Sequence, residues 1–267
     1  MYYAFFGLLG LAATSHAAVA SSNRGDSGID PDALDVGRSC PKHLVIGVRG
    51  SDEHDAEGVK NRETAKMGET VAAYIMPNEL PSDTEYLGLP YPAALSAMLH
   101  GDLDAFWEFE GAGARLLRDT IRVRIETCPY IKIALAGYSQ GAQVVNDALG
   151  TLSADHLNNI RAVLLFADPK ADSSQSYHEL VLPLLGTPAE YYGNDGFFGP
   201  QALPNMVWDR ATSICIDGDL VCNVADGIKD GLVQIMFNKV HTGYRQWWGG
   251  LGLRTRLGRQ LVDRLKA

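Results

Sequence analysis

The 267 residues include 46% hydrophobic and 21% charged side chains, a globular balance that excludes disordered, collagen-like and coiled-coil chains. Lys and Arg total 23 against 32 Asp and Glu, a formal charge of −9, so a phosphate backbone would repel the protein and nucleic acid is not an expected partner. A chain this long buries roughly three quarters of the surface its unfolded form exposes, so its four cysteines are not needed merely to create a core.

Residues 1–20 contain no Asp, Glu, Lys or Arg, and Ala4 to Ala13 is an apolar run of signal-peptide length rather than a bilayer-spanning one. They read as a secretory signal cleaved after Ala20 or, earlier, after Ala17, which predicts a secreted, extracellular protein. Residues 21–39, polar and rich in Gly and Asp, read as a flexible lead-in, and residues 40–267 as a single domain. No later segment is apolar for long enough to span a membrane, so no transmembrane segment is expected in the mature chain.

Leu44 to Val48 is short, apolar and β-rich and ends at Arg49-Gly50-Ser51, which predicts a buried strand running into a loop. The acidic cluster that follows, Asp52, Glu53, His54, Asp55 and Glu57, lacks any H-E-x-x-H spacing and suits the first turn of a helix better than a metal site. Leu103 to Glu126 carries Phe106, Leu116, Leu117 and Ile121 at helical spacing. Ile131 to Ala136 is a second buried strand, Gln140 to Leu152 a helix, and Ile160 to Phe166 a third strand closed by Ala167-Asp168-Pro169. Ala171 to Pro204 is the least regular stretch, with Tyr191, Tyr192, Phe197 and Phe198 among Gly and Pro, and reads as a packed loop or a pocket wall. A fourth strand spans Ala211 to Ile216, and Gly231 to Lys239 reads as a helical insertion. Leu253, Leu257, Leu261 and Leu265 recur every four residues, so a C-terminal helix docks by its leucines and leaves Arg254, Arg256, Arg259, Arg264 and Lys266 on a solvated face. Strands alternating with helices predict an α/β fold with a mainly parallel sheet flanked by helices on both faces, and place function at the carboxyl ends of the strands.

Cys40, Cys128, Cys215 and Cys222 are even in number and show no C-x-x-C or Cys/His zinc spacing. Two disulfides are expected. Cys215 and Cys222 are close in sequence, so the economical pairing is Cys215–Cys222 with Cys40–Cys128. Loop entropy assigns the long bridge about 4.6 kcal/mol and the short one about 2.5 kcal/mol. The short bridge therefore does less for stability than for fixing what lies inside it.

Gly137-Tyr138-Ser139-Gln140-Gly141 falls between a strand and a helix, the context of a nucleophile elbow. The glycines let the backbone turn sharply and expose the Ser139 hydroxyl at the helix N-terminus; the competing role for Ser139 is that of a helix N-cap. An unassisted serine hydroxyl is a poor nucleophile, so a base and an orienting carboxylate are required. Chain order in this architecture runs Ser, acid, His, which disfavours His16, His43, His54 and His100 and leaves His156, His178 and His241. Of these, His241 alone follows Cys222. Two acids are available: Asp168 at a strand end beside the elbow, and Asp219 inside the Cys215 to Cys222 loop.

The elbow, the small cysteine loop enclosing Gly218-Asp219, His241 downstream, and Cys40 ahead of Arg49-Gly50-Ser51 together resemble the cutinase family of secreted serine esterases, over Cys40 to about His241. The resemblance implies an α/β-hydrolase fold, with Ser139 as nucleophile, His241 as base and Asp219 as acid. It also implies an oxyanion hole from the backbone N–H groups of Ser51 and Gln140, with the Ser51 hydroxyl as a further donor. The implied function is hydrolysis of carboxylic esters, whether cutin-like polyester, lipid or short and medium acyl esters, through an acyl-enzyme. The alternatives are a cell-envelope lipid esterase or a polysaccharide acetyl esterase of the same mechanism, and a catalytically silent secreted binding protein on a hydrolase scaffold. No phosphate-cradling or dinucleotide motif occurs, so no cofactor and no metal is expected. The expected partner is an ester substrate, and the chain is expected to act as a monomer.

Overall fold

The computed structural model describes residues 40–75, 78–94, 103–181, 193–224, 239–244 and 251–267. The expected signal and lead-in lie outside these residues, as do Tyr191, Tyr192 and most of the expected insertion at 231–239.

Six strands are described: β1 (His43–Val48), β2 (Thr84–Gly88), β3 (Lys132–Tyr138), β4 (Ile160–Phe166), β5 (His178–Val181) and β6 (Ala211–Ile216). The helices are α1 (Arg62–Lys66), α2 (Glu69–Tyr74), α3 (Leu103–Thr127), α4 (Gln140–Gly150), α5 (Ala154–Asn159) and α6 (Leu251–Lys266). The strands form one sheet in the order β2-β1-β3-β4-β6-β5, and every pairing is parallel. This is the parallel α/β sheet that the alternation predicts.

The central strands are apolar because both of their faces are buried. Leu44, Ile46 and Val48 of β1, Ile133 and Leu135 of β3, and Val163 and Leu165 of β4 face one core with Leu117 and Ile121 of α3 and Val144, Val145 and Ala148 of α4. The intervening Val45, Ala134, Ala136, Ala162, Leu164 and Phe166 face a second core with Val71 and Tyr74 of α2 and Leu253, Leu257, Leu261 and Leu265 of α6. The leucine repeat of α6 docks as expected. Its basic face does not simply lie in solvent: Arg256 makes a bidentate pair with Glu179 of β5, and Arg264 donates to Thr212 Oγ1 and the Ala211 carbonyl of β6.

The strand order creates the site. From β1 the chain goes outward to β2, then returns through α3 to β3 on the other side of β1. Side by side in register, Val48 of β1 and Gly137 of β3 open the crevice at this reversal, where ligands of open parallel sheets bind. Cys40–Cys128 joins the chain just before β1 to the end of α3, and Cys215–Cys222 closes a small loop at the carboxyl end of β6.

Four local expectations differ from what is observed. Residues 51–58 form turns and loop, not the first turn of a helix, because α1 begins only at Arg62, capped by the Asn61 side chain. The elbow strand runs on to Tyr138, beyond Ala136, because β4 still pairs with it there. The irregular stretch after Ala171 contains the edge strand β5, and α4 ends at Gly150, with His156 in the separate helix α5.

Candidate active site

Ser139 stands between β3 and α4 with φ 53° and ψ −123°, a backbone that side-chain-bearing residues rarely adopt. Its hydroxyl makes no capping bond to α4, so the N-cap role does not describe it. Two glycines make this turn sterically possible. A Cβ at Gly137 would lie 2.5 Å from the Gly141 carbonyl oxygen, and one at Gly141 would lie 2.2 Å from that of Val48. Both obstacles are backbone and cannot move aside. The glycine at 141 thus lets the start of α4 press against the carboxyl end of β1.

His241 lies in a short 3-10 turn, His241–Gly243, and is 4% exposed. Its Nε2 is 2.9 Å from Ser139 Oγ, and its Nδ1 is 3.1 Å from both carboxylate oxygens of Asp219. Asp219 is fully buried. The disulfide loop aims it: Gly218 has φ +89°, the Asp219 N–H donates to the Ile216 carbonyl at 2.9 Å, and Asp219 Oδ1 accepts the Val221 N–H at 2.9 Å. Ser139, His241 and Asp219 therefore form one hydrogen-bonded line.

Asp168, the other acid, is turned to different partners. It accepts from the Lys170 backbone N–H at 2.9 Å and from Asn146 Nδ2 at 3.1 Å, and burial pushes its carboxyl up to about 6. The folded value lies above the unfolded value near 3.8, so the native state holds the proton more tightly. Stability from this group is full at acid pH and is lost as pH rises between those two values. Asp168→Asn is expected to remove that slope, so the variant gains on the wild type from pH 4 to pH 7 in denaturant melts. A stability difference that does not change with pH would refute this. The remaining histidines are also occupied: His156 Nδ1 meets Ser153 Oγ at 2.7 Å, and His178 Nδ1 is 3.4 Å from Ser213 Oγ, with burial lowering its pKa.

The Ser51 hydroxyl donates to Gln140 Oε1 at 3.1 Å, which brings the β1 loop against the residue after Ser139. Gln140 is the first residue of α4, and no carbonyl one turn back within the helix can accept its N–H. That group is an available donor beside the nucleophile.

Two supporting tyrosines left no sequence signal for their roles. The Tyr138 hydroxyl donates to the His241 carbonyl at 2.6 Å, and its ring stacks on the imidazole at 5.3 Å between centroids. Tyr244 accepts the Ile216 N–H at 2.9 Å and buttresses the same ring edge-on. Burial raises the pKa of both phenols well above the ordinary value, so they serve as neutral supports. Phe197 and Phe198 pack edge to face, and Phe198 meets Trp107 of α3 at 4.6 Å.

A serine on a strand-to-helix elbow, with its histidine and carboxylate following the later strands of a parallel sheet, defines the α/β-hydrolase class. The sequence matches the cutinase family over residues 39–245, and the chain belongs to that family. A cutinase of Trichoderma harzianum is 35% identical over 141 residues, covering 53% of this chain and 42% of that protein. One from Coprinopsis cinerea is 30% identical over 138 residues, covering 52% of each. The chain spans about half the length of the curated relatives it matches. Among solved structures, a cutinase-like protein from Cryptococcus sp. superposes with a TM-score of 0.58 at 21% identity, over 85% of this chain and 96% of that one. The catalytic core domain of an acetyl xylan esterase from Trichoderma reesei gives 0.57 at 20%, over 85% and 98%. These neighbours share the fold. Among the described residues no helix is long and apolar enough to cross a membrane.

Proposed function

We propose that the protein is an exported serine esterase that hydrolyses carboxylic esters through an acyl-enzyme on Ser139. The observation that carries this reading is the line Asp219–His241–Ser139, with contacts of 3.1 and 2.9 Å at the end of the elbow strand. Ser139 Oγ attacks the ester carbonyl carbon while His241 Nε2 takes the hydroxyl proton, and Asp219 stabilises the imidazolium through Nδ1–H. The oxyanion is met by the Gln140 and Ser51 backbone N–H groups and by the Ser51 hydroxyl, which first turns away from Gln140 Oε1. Collapse expels the alcohol, protonated by His241. Water then repeats the sequence and frees the acid. Two disulfides support export to an oxidising compartment.

The test is stoichiometric labelling by a fluorophosphonate, together with a panel of p-nitrophenyl esters from acetyl to palmitoyl beside a polyester and an acetylated polysaccharide. Labelling with turnover of an ester supports the proposal, and the preferred member names the substrate class. A folded protein that is neither labelled nor active is a binding protein on a hydrolase scaffold.

The oxyanion donors make a separate prediction. Ser51→Ala removes a donor and is expected to lower kcat about 100-fold. Gln140→Ala keeps the backbone N–H and is expected to cost far less. Steady-state kinetics showing Gln140→Ala as the worse variant would overturn the assignment.

A further inference from the structure

We infer that Glu53 is a positioning residue of this site: the span of its carboxylate sets the loop that carries Ser51. The inference rests on the proposed esterase reading. Oε2 accepts the Gly50 N–H at 2.8 Å, and Oε1 accepts the Thr70 N–H at 2.9 Å. Gly50 adjoins Ser51 in the β1 loop. Thr70 is the second residue of α2, whose N-cap Gly68 has no side chain to satisfy it. One side chain therefore caps a helix from 17 residues away and fastens the loop to that helix.

The surroundings are fitted to this carboxylate. A Cβ on Gly68 would lie 2.5 Å from Glu53 Oε2 and 2.7 Å from Arg49 Cβ, and Gly68 has φ +85°. The other side of the loop is held independently. The Tyr91 hydroxyl donates to the Arg49 carbonyl at 2.7 Å, Arg49 Nη2 donates to the Tyr91 carbonyl at 2.9 Å, and the Asp52 N–H reaches the Ala93 carbonyl at 2.8 Å. Ser51 sits between these anchorages. Asp52 has φ 55°, a conformation that persists only where the surroundings enforce it.

Burial raises the Glu53 carboxyl and the Thr70 and Gly50 contacts lower it, while Glu69 adds repulsion. Among the described residues, Arg49, Tyr91 and Tyr138 also lie around it. Both oxygens of this side chain are thus engaged by backbone donors beside the loop. Oxyanion donors act only when held within a few tenths of an ångström of their working positions. Glutamine keeps the length but has one acceptor oxygen, so its amide N–H₂ would oppose Gly50 or Thr70. Aspartate keeps the charge but is one methylene too short to reach both.

The experiment compares wild type, Glu53→Gln and Glu53→Asp in p-nitrophenyl butyrate hydrolysis, per active site titrated to completion with a fluorophosphonate, beside thermal melts. Both variants are expected to titrate like wild type, with KM within about twofold and kcat about 10- to 100-fold lower. Wild-type kcat per titrated site in either variant overturns the inference, since Glu53→Asp alone at wild-type level would mean that charge rather than span matters. A loss that only follows a lower titrated fraction also overturns it, because the role would then be structural. A wild type that is not titrated fails the esterase reading itself, which is a separate result.

Discussion

Ser139→Ala is expected to lower kcat by about a millionfold and to abolish fluorophosphonate labelling, while leaving the melting temperature close to that of the wild type. The first part follows from the chemistry. Without Oγ there is no acyl-enzyme, and what remains is the catalysis of the donors and binding alone, roughly 10³–10⁴ over water. The second part follows from the structure, because the Ser139 hydroxyl does not cap α4. The helix therefore loses no bond. Alanine has the same Cβ as serine and inherits the same strained φ of 53° without adding to it. Activity and stability should separate cleanly, and single-turnover assays beside melts will show whether they do. A variant retaining a tenth of the wild-type rate would remove Ser139 from the reaction.

How much of this could be read from the residues depends on how each feature writes itself into sequence. The strands β1, β3 and β4 were legible because strands buried on both faces become nearly continuous apolar runs, and β6, Ala-Thr-Ser-Ile-Cys-Ile, because its β-branched residues favour a strand. The edge strands β2, Thr-Glu-Tyr-Leu-Gly, and β5, His-Glu-Leu-Val, were not, since their mixed polarity matches no template for either period. The elbow was legible because its glycines answer steric demands that no other residue meets. Its companions Tyr138 and Tyr244 were not, because a tyrosine that stacks on a histidine 103 residues away looks the same as one in any core. Glu53 shows the limit most clearly. Read as part of an acidic run, it suggested the start of a helix. Its actual partners are the backbone N–H groups of Gly50 and, beyond α1, Thr70, with the Thr70 side chain beside them, and backbone donors carry no side-chain signature. The choice between Asp168 and Asp219 also stayed open on spacing alone. Both follow strands of the same parallel sheet, and only the orientation of each carboxylate separates them.

That separation underlies the second large effect. Asp219→Asn is expected to lower kcat about 10⁴-fold with little change in KM. Asparagine has nearly the same shape, and its oxygen can still accept the Val221 N–H now taken by Oδ1 at 2.9 Å. The loop keeps its disulfide and the bond from the Asn223 N–H to the carbonyl of residue 219 at 3.0 Å, so the fold should survive. What changes is the imidazole. With the amide oxygen committed to Val221, the Nδ2–H₂ group faces His241 Nδ1, which must become an acceptor, and the ring proton moves to Nε2. That nitrogen is the one 2.9 Å from Ser139 Oγ, and once protonated it can no longer take the serine proton. Asp168→Asn is the matched comparison, since that carboxylate is bonded to Asn146 and Lys170; its kcat should stay within a few-fold of wild type. If the two variants exchanged behaviours, the acid of the reaction would be Asp168, and the Cys215–Cys222 loop would be orienting Asp219 for something other than catalysis.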